Sequence, residues 1–237
     1  VLSRFTAMEI LTDALIEALR LLAGLDPALL EIAGLTLRVT AAGLFLAVLL
    51  GVPVGAALGL SGKIPAAGCI LPLIYTGMGL PPVVVGLAVY LVLSNQGPLG
   101  ELGGLFTPGA MVFAQTVIAL PLVVGLTLSA VQSLDPDLPR QVRSLGATRR
   151  QLVWTMLVEA RFGLFAAIVA AFGSIISEVG AVMLVGGNIA GETRVLTTAI
   201  VLETRRGNFS LALALGIILL GLAFAANWAF YRLQVRR

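Results

Sequence analysis

The sequence predicts an all-α polytopic membrane protein of about five transmembrane helices, preceded by a helix that lies at the interface. Three observations predict it. Of the 237 residues, 59% are hydrophobic and only 11% are charged, with a mean hydropathy of +1.04; a soluble domain carries about a quarter charged residues. Apolar runs of about 20 residues, the length that crosses a bilayer, recur along the whole chain, so a secretory leader does not account for them. Finally, the basic residues cluster between these runs instead of spreading evenly.

Composition also excludes several chemistries. There is no histidine, and Cys69 is the only cysteine. His/Cys metal sites, intrachain disulfides and Ser-His-Asp or Cys-His catalytic sets are therefore ruled out, and no metal site is expected. The nearest approach to a P-loop is Gly62-Lys63, where Ile64 replaces the Ser/Thr and the earlier glycine is missing. The chain is not expected to be an enzyme or to hold a cofactor. Nothing beyond the net charge of +3 suggests nucleic-acid binding.

Residues 1–7 carry no pattern and read as a frayed end or an added remnant. Thr6 to Glu9 fits a capping box opening a helix over 7–24. That helix carries Asp13, Glu17 and Arg20 on one side and Leu11, Ala14, Leu15 and Ala18 on the other, which suits an interfacial position. Asp26-Pro27 reads as N-cap and N1 of the next helix. The first span is placed at 35–60, where Gly51, Gly55 and Gly59 recur every four residues and form a strip for close helix packing.

The second span, 66–93, is interrupted by Gly77-Met78-Gly79-Leu80-Pro81-Pro82. Two consecutive prolines remove two donors, and such a break persists in a membrane only where protein or water satisfies the freed groups. A packing kink and a broken helix beside a substrate route are both open readings. A break of this kind can also turn backbone N–H groups toward an anion, so Gly77, Gly79, Pro81 and Pro82 are candidates for a translocation path. The third span is 109–134, with Gln115 and Thr116 as interhelical hydrogen-bonding groups.

A basic segment, 135–151, follows. Asp135-Pro136 reads as a helix start, Gly146 as a left-handed stop and Thr148 to Gln151 as a capping box. Helix, glycine hinge and helix, ringed by Arg140, Arg143, Arg149, Arg150 and Arg161, suit a lever inserted into a partner. The fourth span, 162–185, carries a small-residue stripe of Gly173, Ser177 and Ala181 beside the ionisable Glu178. For Glu178 the first reading is a hydrogen bond or ion pair that fixes helix packing; the second is a gate, joined by Ser177. A carboxylate is a poor ligand for a dianion. A short helix over 194–206, capped by Thr193, precedes the fifth span at 209–231, where Trp228 and Tyr231 suit an interface belt.

Nine basic residues (Lys63, the five arginines around Gly146, Arg232, Arg236 and Arg237) fall on one side of this arrangement and six on the other. The positive-inside rule then puts the N-terminus outside and the C-terminus in the cytoplasm.

Arg140 to Glu159 resembles the cytoplasmic coupling loop of ABC importer permeases, whose pattern is Glu-Ala-Ala, three residues, Gly, nine residues, Ile-x-Leu-Pro. Ser144-Leu145-Gly146-Ala147 matches. Arg140-Gln141-Val142 stands in place of the acidic start, and Met156 with Val158-Glu159 in place of the end. Thr76 to Leu87, Ile176 to Asn188 and Thr193 to Asn208 resemble tungstate-type permeases, relatives of molybdate and sulfate permeases, and the likeness runs from about Met8 onward. The resemblance implies a single permease domain, 1–237, of the type I, molybdate-permease-like fold. It also implies a homodimer around one oxyanion path (tungstate first, molybdate next) in a prokaryotic cell membrane.

The implied partners are a second copy, two ATPase subunits using ATP and Mg, an extracytoplasmic oxyanion-binding protein and the lipid bilayer. Arg140, Gln141, Val142, Ser144, Leu145, Gly146 and Ala147 would form the ATPase-coupling loop. With the sequence ending at Arg237, no soluble C-terminal regulatory domain is expected. The alternative is an ion-coupled carrier or channel for a small anion that works without an ATPase.

Overall fold

In the computed structural model, residues 7–24, 26–61 and 67–235 are described, and among them every regular element is helical. The Thr6–Glu9 capping box, Gly62-Lys63, Arg236 and Arg237 lie outside the described residues.

Helix α1 (Ala7–Ala23) turns Ala14 and Ala18 inward, where Ala18 joins Leu29, Leu196, Ala214 and Ile218 in one apolar cluster. Its larger residues Leu11, Leu15, Ile16 and Leu19 stay exposed, as suits a helix lying in the apolar boundary of a bilayer. Helix α2 (Pro27–Leu60) is continuous over 34 residues. Asp26 caps it, its Oδ1 accepting the Leu29 N–H at 3.0 Å, so the helix begins eight residues before the span placed at 35–60. At 1.5 Å per residue it is about 51 Å long, more than the roughly 30 Å hydrocarbon core.

Helix α5 (Pro108–Gln132) is the central element, and α2 lies along it on the glycine strip. An added Cβ would come within 2.8 Å of Val123 at Gly51, 2.6 Å of the Val124 carbonyl at Gly55 and 2.9 Å of Val131 at Gly59. Side chains at these positions would hold the helices apart. Thr116 on α5 reaches the Gly43 carbonyl of α2 at 3.4 Å, beside its own bond to the Val112 carbonyl at 2.7 Å.

The predicted second span is two helices, α3 (Ala67–Met78) and α4 (Pro82–Leu93), bent by 100°. The prolines cause the break: Pro81 is extended (φ −60°, ψ 121°) and Pro82 opens α4. The predicted fourth span also divides. Helix α8 (Arg161–Ile176) stops at Ser177 before the short α9 (Gly180–Gly186), and ahead of this span α7 (Arg149–Glu159) meets α8 at 69°. Among the described residues, three helices are long and apolar enough to cross a bilayer, or up to five spans if each bent pair counts as one.

Two helix starts and one helix end differ from the sequence expectation. Asp135 does not cap a helix; its Oδ1 accepts the Asp137 N–H at 2.8 Å, and α6 (Leu138–Ser144) begins later, with Asp137 as its flanking residue. Thr193 does not cap α10 (Leu196–Arg205). Its hydroxyl closes the preceding loop by accepting the Ile189 N–H at 3.0 Å and donating to the Gly186 carbonyl, while Thr198 Oγ1 accepts the Val195 N–H at 3.1 Å. The last helix, α11 (Phe209–Val235), extends past the predicted end at Tyr231.

Candidate functional site

Two places in the fold depart from simple spanning helices, and both involve the residues singled out in the sequence. The first is the tip formed by α6, Leu145–Ala147 and α7. Gly146 has φ +83° and open space around its Cα, and its N–H bonds the Arg143 carbonyl at 2.9 Å. A left-handed residue here ends α6 without strain only as glycine. Two residues on, Thr148 and Gln151 form the capping box: the Gln151 carboxamide oxygen accepts the Thr148 N–H at 2.8 Å, and Thr148 Oγ1 accepts the Gln151 N–H at 3.4 Å.

The tip is thus a defined helix-turn-helix, rooted by Leu152 and Met156 of α7, which are buried. Its outward side is bare. Leu145 is 87% exposed; Arg140, Gln141, Ser144 and Gly146 are exposed, and Val142 and Ala147 half-buried. Arg140 pairs with Asp137 at 3.0 Å, both largely in solvent, a pair that stabilises little. Behind the tip a cavity of about 430 Å³ lies between the ends of α2 and α5, lined by Ser61, Asp135, Arg143 and Met156 among others.

The second place is where the two helix breaks meet. The α3 end seats on α5, Gly77 against the Pro121 ring and Met78 against Gly125. Gly79 and Pro81 remain exposed and Pro82 half-buried. The break uses its own donors: the Gly79 N–H bonds the Tyr75 and Thr76 carbonyls at 3.3 and 3.2 Å, and the Leu80 N–H bonds the Gly77 carbonyl at 3.3 Å. With both prolines lacking an N–H, these groups are not turned outward as anion donors.

Beyond the break, α4 packs directly on α9. A Cβ on Gly86 would lie 2.5 Å from Ala181 Cα, and one on Gly180 would lie 2.5 Å from Val83 Cγ2. The breaks 79–81 and 177–179 are therefore neighbours, although nearly 100 residues separate them in the chain.

The α8–α9 break is held by three side chains. Glu178 is only 9% exposed, and its Oε1 accepts the Ala181 N–H at 2.8 Å, acting as the cap of α9. Gln115 of α5 donates through Nε2 to the Ile175 carbonyl at 3.1 Å, and Thr197 of α10 donates to the Glu178 carbonyl at 3.0 Å. Ser177 is exposed and returns its hydroxyl to the Gly173 carbonyl at 2.9 Å. Gln115 and Thr197 were missed as parts of this site. Gln115 is a polar residue in an apolar span, a signal that shows an interhelical bond but not its partner.

Helix α8 is the link between tip and break, about 24 Å of rigid helix for 16 residues. The arrangement joins a capped helical tip at one end to two broken spans at the other. Among the described residues no group of three or more metal-ligating side chains exists.

Comparison with known proteins decides the family. Residues 51–237 match the family described as the binding-protein-dependent transport system inner membrane component. The chain belongs to this family. It is a permease, a multi-pass transport subunit and not an enzyme, and the family's description pairs it with a binding protein and a membrane.

The permease is 45% identical to a probable anion ABC transporter permease protein of Haloferax volcanii, over 84% of the chain and 88% of the relative. It is 37% identical to the tungstate uptake system permease protein TupB of Peptoclostridium acidaminophilum, over 96% of the chain and 99% of that protein. Among solved structures, an amino acid ABC transporter chain superposes with a TM-score of 0.60, at 19% identity, covering 90% of this permease and 93% of that chain. The fold is that of an ABC transporter permease.

Proposed function

We propose that two copies of this permease form one path that imports an oxyanion, tungstate first and molybdate next, driven by separate ATPase subunits. The observation that carries the reading is the end-to-end likeness to a tungstate uptake permease, 37% identical over 96% of the chain. The bare turn at Leu145–Ala147 supports a docking role: the backbone around it is fixed by caps while Leu145 is 87% exposed. In this reading the ATPases bind Arg140, Gln141, Val142, Ser144, Leu145, Gly146 and Ala147 and consume ATP and Mg. An extracytoplasmic binding protein delivers the anion to the opposite end of the permease. The tip faces the cytoplasm of a prokaryotic cell, the N-terminus lies outside, and the C-terminus lies inside.

ATP-driven displacement of the tip passes along α8 to the paired breaks, where Gly79, Pro81, Pro82 and Ser177 border the path and Gly77 holds the α3 end in place. Glu178 acts as the cap that sets the α9 position, not as an anion ligand. The switch is a change in the relative stability of two states, to which ATP binding contributes through its differential affinity. The test is ATPase activity of the complete complex with its binding protein, titrated with tungstate, molybdate and sulfate. Stimulation by tungstate at the lowest concentration supports the assignment; stimulation by none of the three overturns it.

A further inference from the structure

Helix α7 carries a partly exposed face away from the Leu145–Ala147 turn and from the breaks. Leu152 and Met156 turn inward at 3% and 1% exposure. Arg150, Val153, Trp154, Leu157 and Val158 follow one another at i, i+3, i+4, i+7 and i+8 on the opposite side; Arg150, Trp154 and Val158 are exposed, while Val153 and Leu157 are half-buried, Leu157 against the Ala56, Val131 and Ala160 cluster. Trp154 is 69% exposed on this stripe. Together with Arg149, the first four of these residues line an open groove of about 490 Å³. Beyond the α7–α8 junction Arg161 opens α8, its guanidinium 5.0 Å above the ring of the exposed Phe162. Among the described residues no carboxylate pairs with Arg149, Arg150 or Arg161. Glu159, nine positions after Arg150, points to the far side of the helix at 100° per residue.

These features select an occupant. A second copy laid on this stripe about a two-fold axis would place arginine against arginine. The bare tip, not this stripe, is the proposed ATPase contact. A basic and aromatic stripe on a helix bent 69° from α8 has instead the composition and placement of an interfacial anchor.

We propose that this face of α7 binds anionic phospholipid, with Arg149, Arg150 and Arg161 on the phosphates and Trp154 and Val158 in the acyl boundary. The proposal goes beyond the transport reading; only the identity of the leaflet depends on it.

The chain has two tryptophans, so Trp228→Phe leaves Trp154 as the sole reporter. The variant is reconstituted in phosphatidylcholine vesicles containing rising mole fractions of either brominated phosphatidylglycerol or brominated phosphatidylcholine, and Trp154 fluorescence is read. Quenching by the anionic lipid is expected at a lower mole fraction, by a factor of about five for each arginine that contributes about one kcal/mol near the surface. Arg149→Gln with Arg150→Gln and Arg161→Gln should bring the two lipids close to parity.

Equal quenching by both lipids in the parent variant overturns the proposal. So does the absence of quenching by either, which would mean that protein covers the stripe. If Trp228→Phe fails to fold, the difference between the wild-type chain and Trp154→Phe supplies the same signal.

Discussion

Gly86→Ala probes the contact on which the paired breaks depend. An added Cβ would sit 2.5 Å from Ala181 Cα, 3.0 Å from its Cβ and 3.3 Å from its carbonyl oxygen. Carbon atoms pack at about 3.5–4.0 Å, so α4 and α9 would have to part by about 1 Å. Neither helix gives way freely. Val85 and Val89 seat α4 in the core at 3% and 4% exposure, and α9 is tied through Glu178 to Ala181. Forcing an extra methyl into such a contact costs about 1–3 kcal/mol. For a chain of this size that lowers the unfolding midpoint by about 2–12 °C, measurable on the purified permease in detergent.

Adding Ala181→Gly removes the Cβ but leaves the nearer Cα, so it should restore only part of the loss. Gly216→Ala, where a Cβ meets nothing within 4 Å, should not lower the midpoint. A Gly86→Ala permease that melts with the wild type and transports normally would refute the contact between the two broken spans.

Gly55→Leu places a side chain where even a Cβ would be 2.6 Å from the Val124 carbonyl, and should cost at least as much by the same melting assay. Glu178→Ala removes the acceptor for the Ala181 N–H and should cost about 1 kcal/mol, as loss of a helix cap does. Glu178→Gln keeps an acceptor and should retain both fold and uptake; a folded Gln variant without uptake would show that the charge itself is needed. Gly146→Pro cannot adopt φ +83° and loses the N–H that bonds Arg143. It should abolish substrate-stimulated ATPase activity while leaving the proposed dimer intact by size-exclusion chromatography, and unchanged stimulation would count against the tip as the coupling element.

Much of this architecture was legible in local chemistry. The Asp26-Pro27 start, the Thr148–Gln151 box and the left-handed Gly146 are decided within four residues, by caps and backbone freedom. The Gly51–Gly55–Gly59 strip was readable because close packing needs small residues at one helical spacing. The α8–α9 break was not, since Ser177, Glu178 and Val179 include no breaker. Its freed carbonyls are taken up by Gln115, 60 residues away from Ile175, and by Thr197, 19 residues away from Glu178. Only the tertiary fold brings these groups together. The prolines at 81 and 82 announced a break, yet not that Gly79 and Leu80 would spend their donors inside it. Gly86 lay within a recognisable motif, but its reason, the approach of Ala181, appears only when α4 meets α9.

The central claim is that this chain moves an oxyanion only when its tip is engaged by an ATPase. Uptake of labelled tungstate into proteoliposomes tests it directly, with the permease reconstituted alone or with its ATPase and binding protein. The account predicts ATP-dependent accumulation in the complete system and none with the permease alone. Accumulation by the purified permease without an ATPase would contradict it and favour an ion-coupled carrier or channel.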